Sequence, residues 1–219
     1  MKENKKRLKI STMQIIAGGF LGAILLGGVL LYLPVCNKEP IHFVDALFTS
    51  ATSVCVTGLV TVVPAAQFTI LGKIILLILI QIGGLGVIAC AFSFFLILKK
   101  KITLRERIMI RETYNMDTLG GMVKFLIKII KGTFLAEAAG ALLFAVQFIP
   151  EYGFVKGICY AVFHAVSAFC NAGIDILGDS SFIKYATNPL INATAICLIV
   201  VSGIGFTVCG DVGENLKKV

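Results

Sequence analysis

Two stretches of the chain repeat one pattern at a fixed spacing. Ala46-Leu-Phe-Thr-Ser-Ala-Thr-Ser-Val-Cys-Val-Thr-Gly-Leu59 and Ala161-Val-Phe-His-Ala-Val-Ser-Ala-Phe-Cys-Asn-Ala-Gly-Ile174 align without a gap and share Ala46/Ala161, Phe48/Phe163, Cys55/Cys170 and Gly58/Gly173. The chemistry open to such segments is coordination by the main chain. Glycine reaches backbone angles that other residues resist, so Gly58 and Gly173 are expected to end short helices. The carbonyls of Cys55, Val56, Thr57 and Gly58, and of Cys170, Asn171, Ala172 and Gly173, are then candidate ion ligands. Rings of such carbonyls replace the hydration shell of K⁺, and a helix C-terminus pointing at them adds partial negative charge. The competing reading is that serine, threonine and glycine only let helices pack closely. Recurrence in register favours the coordinating one.

The elements that must position these segments are membrane helices. The chain is 58% hydrophobic and 15% charged, with a mean hydropathy of +0.94, outside the range of soluble domains. Uncharged runs cover 10–37, 46–72, 74–98, 157–174 and 185–210, and a shorter one, 138–150, follows Glu137; about 20 apolar residues cross a bilayer. The first run is too long for the core of a signal peptide and reads as a retained span.

Charge arbitrates the topology. Hydropathy alone allows six crossings, which would put the most basic loop outside. If instead 46–72 and 157–175 dip into the membrane and return, four spans at 10–33, about 70–98, about 126–149 and about 187–209 remain. Sixteen of the 20 Lys/Arg then lie inside, leaving Lys38, Lys73, Lys156 and Lys184 outside, as the positive-inside rule requires. The net charge of +8 therefore marks a cytoplasmic face rather than a nucleic-acid partner. The fold class is all-α integral membrane, with two tandem helix, re-entrant loop, helix repeats. Residues 1–98 form the first repeat with a cytoplasmic N-terminus and 99–125 a basic cytoplasmic connector. The second repeat occupies 126–209, and 210–219 begins a cytoplasmic tail. Duplication extends past the loops, since Ile78-Leu-Ile-Gln-Ile-Gly-Gly-Leu-Gly86 is similar to Cys197-Leu-Ile-Val-Val-Ser-Gly-Ile-Gly205.

Other polar residues take quieter roles. Glu137 sits inside the third span, where an isolated charge costs about 2.5–3.5 kcal/mol; a structural hydrogen bond is favoured over ion passage. His42, Asp45, Glu151, Asp175 and Asp179 read as outer-loop residues. His164 lacks partners at metal spacing and reads as packed. Glu106 and Glu112, interleaved with Arg105, Arg107 and Arg111, suggest helical ion pairs. Seven cysteines without C-x-x-C spacing read as free, buried thiols, and Asn192-Ala-Thr194 reads as a chance sequon at the start of a span. Gly18 and Gly22 read as helix-contact positions, and the Gly83-Gly-x-Gly86 and Gly203-x-Gly205 clusters read as close-packing positions, with a gating hinge as the alternative. No nucleophile and base constellation appears, so a membrane enzyme has little support.

Phe48-Thr-Ser-Ala-Thr-Ser-Val-Cys-Val-Thr-Gly-Leu59, Gln81-Ile-Gly-Gly-Leu-Gly86, Lys101-Ile-Thr-Leu-Arg-Glu-Arg107 and Ser167-Ala-Phe-Cys-Asn-Ala-Gly-Ile174 together resemble the Trk/Ktr/HKT superfamily of K⁺ uptake proteins, closest to the KtrB branch. The resemblance implies K⁺ transport, possible coupling to Na⁺, no cofactor, assembly as a homodimer in the cell membrane and a cytosolic nucleotide-binding regulatory subunit. It also implies four repeats around one pore, with Gly58 and Gly173 matching the first two filter glycines. This chain carries two repeats, so the remaining pore repeats must come from a longer subunit or a second chain. A non-transporting scaffold that assembles with complete subunits is the alternative.

Overall fold

The computed structural model describes residues 12–87, 89–91, 122–205 and 208. The basic N-terminal segment, most of the 99–125 connector with its expected ion pairs, Cys209 and the 210–219 tail lie outside the described residues. Among the described residues every named element is helical. In chain order they are α1 (Thr12–Tyr32), α2 (Phe43–Val54), α3 (Pro64–Gln67), α4 (Ile70–Leu85), α5 (Met122–Tyr152), α6 (Phe154–Phe169) and α7 (Pro189–Ile204). By length and composition α1 and α5 can cross a membrane, and α2, α4, α6 and α7 are shorter apolar helices. Leu26 and Leu142 are 63% and 72% exposed, the surface a lipid-facing helix presents.

Capping residues explain the boundaries. At the end of α1, Asn37 Nδ2 donates to the carbonyls of Leu31 and Leu33, satisfying acceptors that a helix end leaves orphaned. Thr69 caps α4 by accepting from the Gly72 N–H. Asn188 accepts from the N–H groups of Leu190 and Ile191 ahead of Pro189, the first residue of α7; proline suits that position because its missing N–H is an orphan anyway. Asn192, the sequon residue, donates to the carbonyls of Tyr185 and Ala186 and so fastens the loop below α7. The loops after α1 and before α4 are tied by an antiparallel bridge between Asn37 and Phe68.

Glycines set the close approaches, at positions partly different from those expected. A Cβ on Gly27 would meet Ser50 Oγ at 2.3 Å, and one on Gly28 would meet Leu47 at 2.9 Å, so these two seat α1 on α2. Gly18 and Gly22 have nothing within 4 Å; their spacing alone does not reveal which face of α1 meets a neighbour. At the other hairpin Gly153, with φ of 82°, reverses the chain between α5 and α6, and a Cβ on Gly157 would lie 2.6 Å from Ile149 Cα.

The glycine clusters at the ends of α4 and α7 divide into two kinds. Gly83 and Gly84 are close-packing positions, as their sequence suggested. Gly86 and Gly205 instead break their helices, with φ of 83° and 85° and open space where a Cβ would stand, and Gly203 is open too. The span expected over about 70–98 therefore stops at Leu85, with helical residues resuming at Val87.

One buried cluster is built across the chain's two halves, from Leu31, Leu76 and Ile80 together with Phe163, Ala172 and Ile174. A second, around Phe144, Phe148 and Tyr185, belongs to the second half. His164 is packed as expected: Phe148, Tyr160, Phe163 and Phe182 surround it. Its Nε2 accepts from the Ile176 N–H at 3.3 Å, so Nδ1 carries the proton given to Tyr160 O and the ring is neutral. In the loop before α7, Tyr185 donates to Glu151, which also pairs with Lys184, and burial pushes the Tyr185 phenol up.

Gly157→Ala places a methyl against main chain that cannot yield, at a cost of about 1–3 kcal/mol. Gly132→Ala, at an open position inside α5, gains up to about 1 kcal/mol in helix propensity. Thermal unfolding of the detergent-solubilised protein should move down for the first and not for the second.

Candidate functional site

The helices α2 and α6 end in the same way at matching positions. Each has an αR cap residue, Cys55 or Cys170, followed by a residue with positive φ, Val56 at 56° or Asn171 at 58°. The next N–H then reaches back five residues, Thr57 to Thr52 O at 3.0 Å and Ala172 to Ser167 O at 2.8 Å. This is the Schellman ending, in which a left-handed residue turns the chain out of the helix while satisfying orphan carbonyls. The expectation that Gly58 and Gly173 end the helices is therefore corrected by two residues. The turn is made by Val56 and Asn171, and the glycines take up positive φ of 76° and 65° immediately beyond it. A β-branched residue with φ above zero is a rare conformation costing about 1–3 kcal/mol, which explains why the sequence did not reveal it.

The helix residue whose carbonyl closes each turn also holds the loop by its side chain. Thr52 and Thr57 share a hydroxyl hydrogen bond of 2.6 Å, and Ser167 Oγ donates to Ile174 O at 2.6 Å. The remaining hydroxyls of α2 turn inward: Thr49 donates to Asp45 O, Ser50 to Ile24 O and Ser53 to Thr49 O. Only Ser50 thereby reaches another helix, α1; Thr49 and Ser53 bond back within α2.

The two segments lie side by side. A Cβ on Gly58 would sit 2.8 Å from Ala172 O, and one on Gly173 would sit 3.8 Å from Gly58 Cα. Cys55, Thr57, Asn171 and Gly173 are exposed, Val56 and Gly58 half-buried, and Cys170 and Ala172 buried. Six cysteines are free among the described residues; Cys36 and Cys170 are buried, whereas Cys55, Cys159 and Cys197 are exposed. No cluster of metal-ligating side chains occurs among the described residues.

The helix α4 wedges between them. A Cβ on Gly83 would meet Val54 O at 2.4 Å and Val56 Cγ2 at 2.9 Å, and one on Gly84 would meet Cys170 Sγ at 2.3 Å. One turn earlier, Gln81 Nε2 donates to Glu137 Oε1 at 2.9 Å, so the 5%-exposed carboxyl takes the structural role expected of it. On α7, Ser202 accepts from Asn171 Nδ2 at 2.9 Å. Gln81 and Ser202 were invisible as site residues in the sequence, because each bonds to another side chain, Glu137 or Asn171, that lies far from it in the chain.

A family model described as "TrkH: Cation transport protein" matches residues 7–218. The chain belongs to the TrkH family. It is 42% identical to the potassium/sodium uptake protein NtpJ of Enterococcus hirae, over 99% of this chain and 49% of that protein. It is 38% identical to the Ktr system potassium uptake protein B of Bacillus subtilis, over 97% and 47%, and 36% identical to that of Vibrio alginolyticus, over 94% and 45%. The chain spans about half the length of these relatives.

In this TrkH-family chain, the Gln81–Glu137 hydrogen bond joins the two halves. Gln81→Leu leaves the Glu137 carboxyl buried without its partner, at about 1–3 kcal/mol, whereas replacing both residues by leucine recovers part of that loss. A double-mutant cycle on thermal unfolding should show this non-additivity; simple addition would remove the pair from the contacts joining the halves.

Proposed function

We propose that the chain supplies two of the segments that line a K⁺ pathway through a cell membrane. The observation that carries the reading is the pair of matched helix endings, set side by side with glycine main chain between them. Further support comes from position: Gly173 follows Gly58 by the same 115 residues that separate Cys170 from Cys55, and α7 coincides with α4 at an offset of 119. On this reading α1, α4, α5 and α7 are spans, while α2 and α6 are re-entrant helices entered from outside. The family and the exposed aliphatic helices support a membrane location. The distribution of lysine and arginine supports cytoplasmic termini.

Each re-entrant helix turns its partly negative C-terminal end toward the exposed segment that follows. A cation there is stabilised by helix dipoles and by the carbonyls of Val56, Thr57, Asn171 and Ala172, with Cys55, Gly58, Cys170 and Gly173 completing the segments. Chemistry of this kind needs no cofactor and no nucleophile. Two segments cover half of a ring, so the pathway is completed by further repeats from a longer subunit or a second copy. A relative named as a potassium/sodium uptake protein supports extending the reading to Na⁺, and the family resemblance extends it to a homodimer and a cytosolic nucleotide-binding subunit.

The substitution Gly58→Ser forces a side chain into φ of 76° and toward Ala172 O at 2.8 Å. In the complete assembly, K⁺ over Na⁺ discrimination should fall about tenfold, the equivalent of about 1.4 kcal/mol, within the range of such backbone strain. Unchanged discrimination in uptake assays removes Gly58 from the filter. Rescue of K⁺-dependent growth in an uptake-deficient strain distinguishes a conducting assembly from a scaffold.

A further inference from the structure

The outer ends of α4 and α6 flank a groove of about 430 Å³ that nothing in the ion pathway uses. Its lining is mainly apolar, from Ile70, Ile74 and Leu77 on α4 and Val155, Ile158 and Phe163 on α6, and includes two lysines, Lys73 and Lys156, near the N-terminal ends of the two helices, which form its mouth. A second groove of about 380 Å³ shares Leu77 and Val162 and continues down to Gln81 and Glu137. From Ile70 to Gln81 the channel follows α4 for about 16 Å, close to one leaflet, about half of a 30 Å hydrocarbon core.

The charges at its mouth are set against local helix physics. Lys73 lies in the first turn of α4 and Lys156 in the first turn of α6, and neither turn contains an acidic residue. Cations at a helix N-terminus oppose the dipole, and anions there are favoured. Gly153 gives α6 no side-chain cap, which leaves its first N–H groups to find other acceptors. Neither lysine has an acidic partner among the described residues, and Lys38 adds its positive charge near Lys73.

We propose that this groove binds an anionic phospholipid, with one acyl chain along α4 and the headgroup between Lys73 and Lys156. A zwitterionic lipid would fill the groove equally well, but its headgroup would leave the two lysines and two helix ends without net compensation. An anionic one neutralises them. Bound there, the lipid wedges the first half against the second beside the Gln81–Glu137 contact. Placement of the mouth in the outer leaflet rests on the topology proposed above; the binding chemistry does not.

The chain contains no tryptophan, so Ile158→Trp places a single reporter of this chain in the groove. The complete assembly is reconstituted in vesicles of phosphatidylcholine containing a small fraction of either brominated phosphatidylglycerol or brominated phosphatidylcholine. Quenching should favour the anionic lipid, and Lys73→Gln or Lys156→Gln should each reduce that preference about fivefold, the equivalent of about 1 kcal/mol per basic residue at an anionic surface. Lys184→Gln, away from the groove, should leave it unchanged. Equal quenching by the two lipids, a preference that survives loss of both lysines, or no quenching by either because protein covers the groove would each overturn the proposal. A lipid preference that persists while Gly58→Ser leaves ion discrimination intact would sink the filter reading and spare the lipid site; the opposite pair of results does the reverse.

Discussion

The arrangement depends on one close approach: α4 has no side chain at Gly83 and Gly84. Without a Cβ at either position the helix lies against Val54 O and Val56 on one side and Cys170 on the other. A methyl at either position would overlap those atoms, and protein interiors packed at crystal-like density have no slack to absorb it. Everything else in the site follows from this contact. It brings the ends of α2 and α6 within reach of each other, sets Gly58 against Ala172, and places Gln81 one turn away where it can reach Glu137.

The polar groups around this contact satisfy one another rather than facing the segments. Hydroxyls of α2 bond back to carbonyls, Gln81 occupies Glu137, and the neutral ring of His164 bridges Tyr160 O and the Ile176 N–H. In a low-dielectric setting an unpartnered polar group is costly, so these pairings stabilise the turns.

Much of this was legible in the residues. Gapless similarity between 46–59 and 161–174 located both turns, and the motifs around them identified the family. The isolation of Glu137 implied a buried partner without naming it. Other features were hidden for physical reasons. A left-handed valine at position 56 contradicts local preference and is maintained by tertiary packing, so the glycine two residues later drew the inference instead. The same applies to helix breaks at Gly86 and Gly205, since apolar composition runs straight through both. Along α1, glycines at 18, 19, 22, 27 and 28 look equivalent in sequence, and only the positions of α2, α4 and Val87 separate 19, 27 and 28 from 18 and 22.

The two turns are fastened by different chemistry at equivalent places. Gly83 and Ser202 occupy corresponding positions, as do Val56 and Asn171. In the first half a bulky left-handed residue fits where its neighbour has no side chain; in the second a polar one fits where its neighbour accepts a hydrogen bond. Each of these residues and its helix partner therefore form a matched couple. Serine at 83 would collide with the valine, and valine at 171 would abandon the serine, so neither member of a couple can change alone.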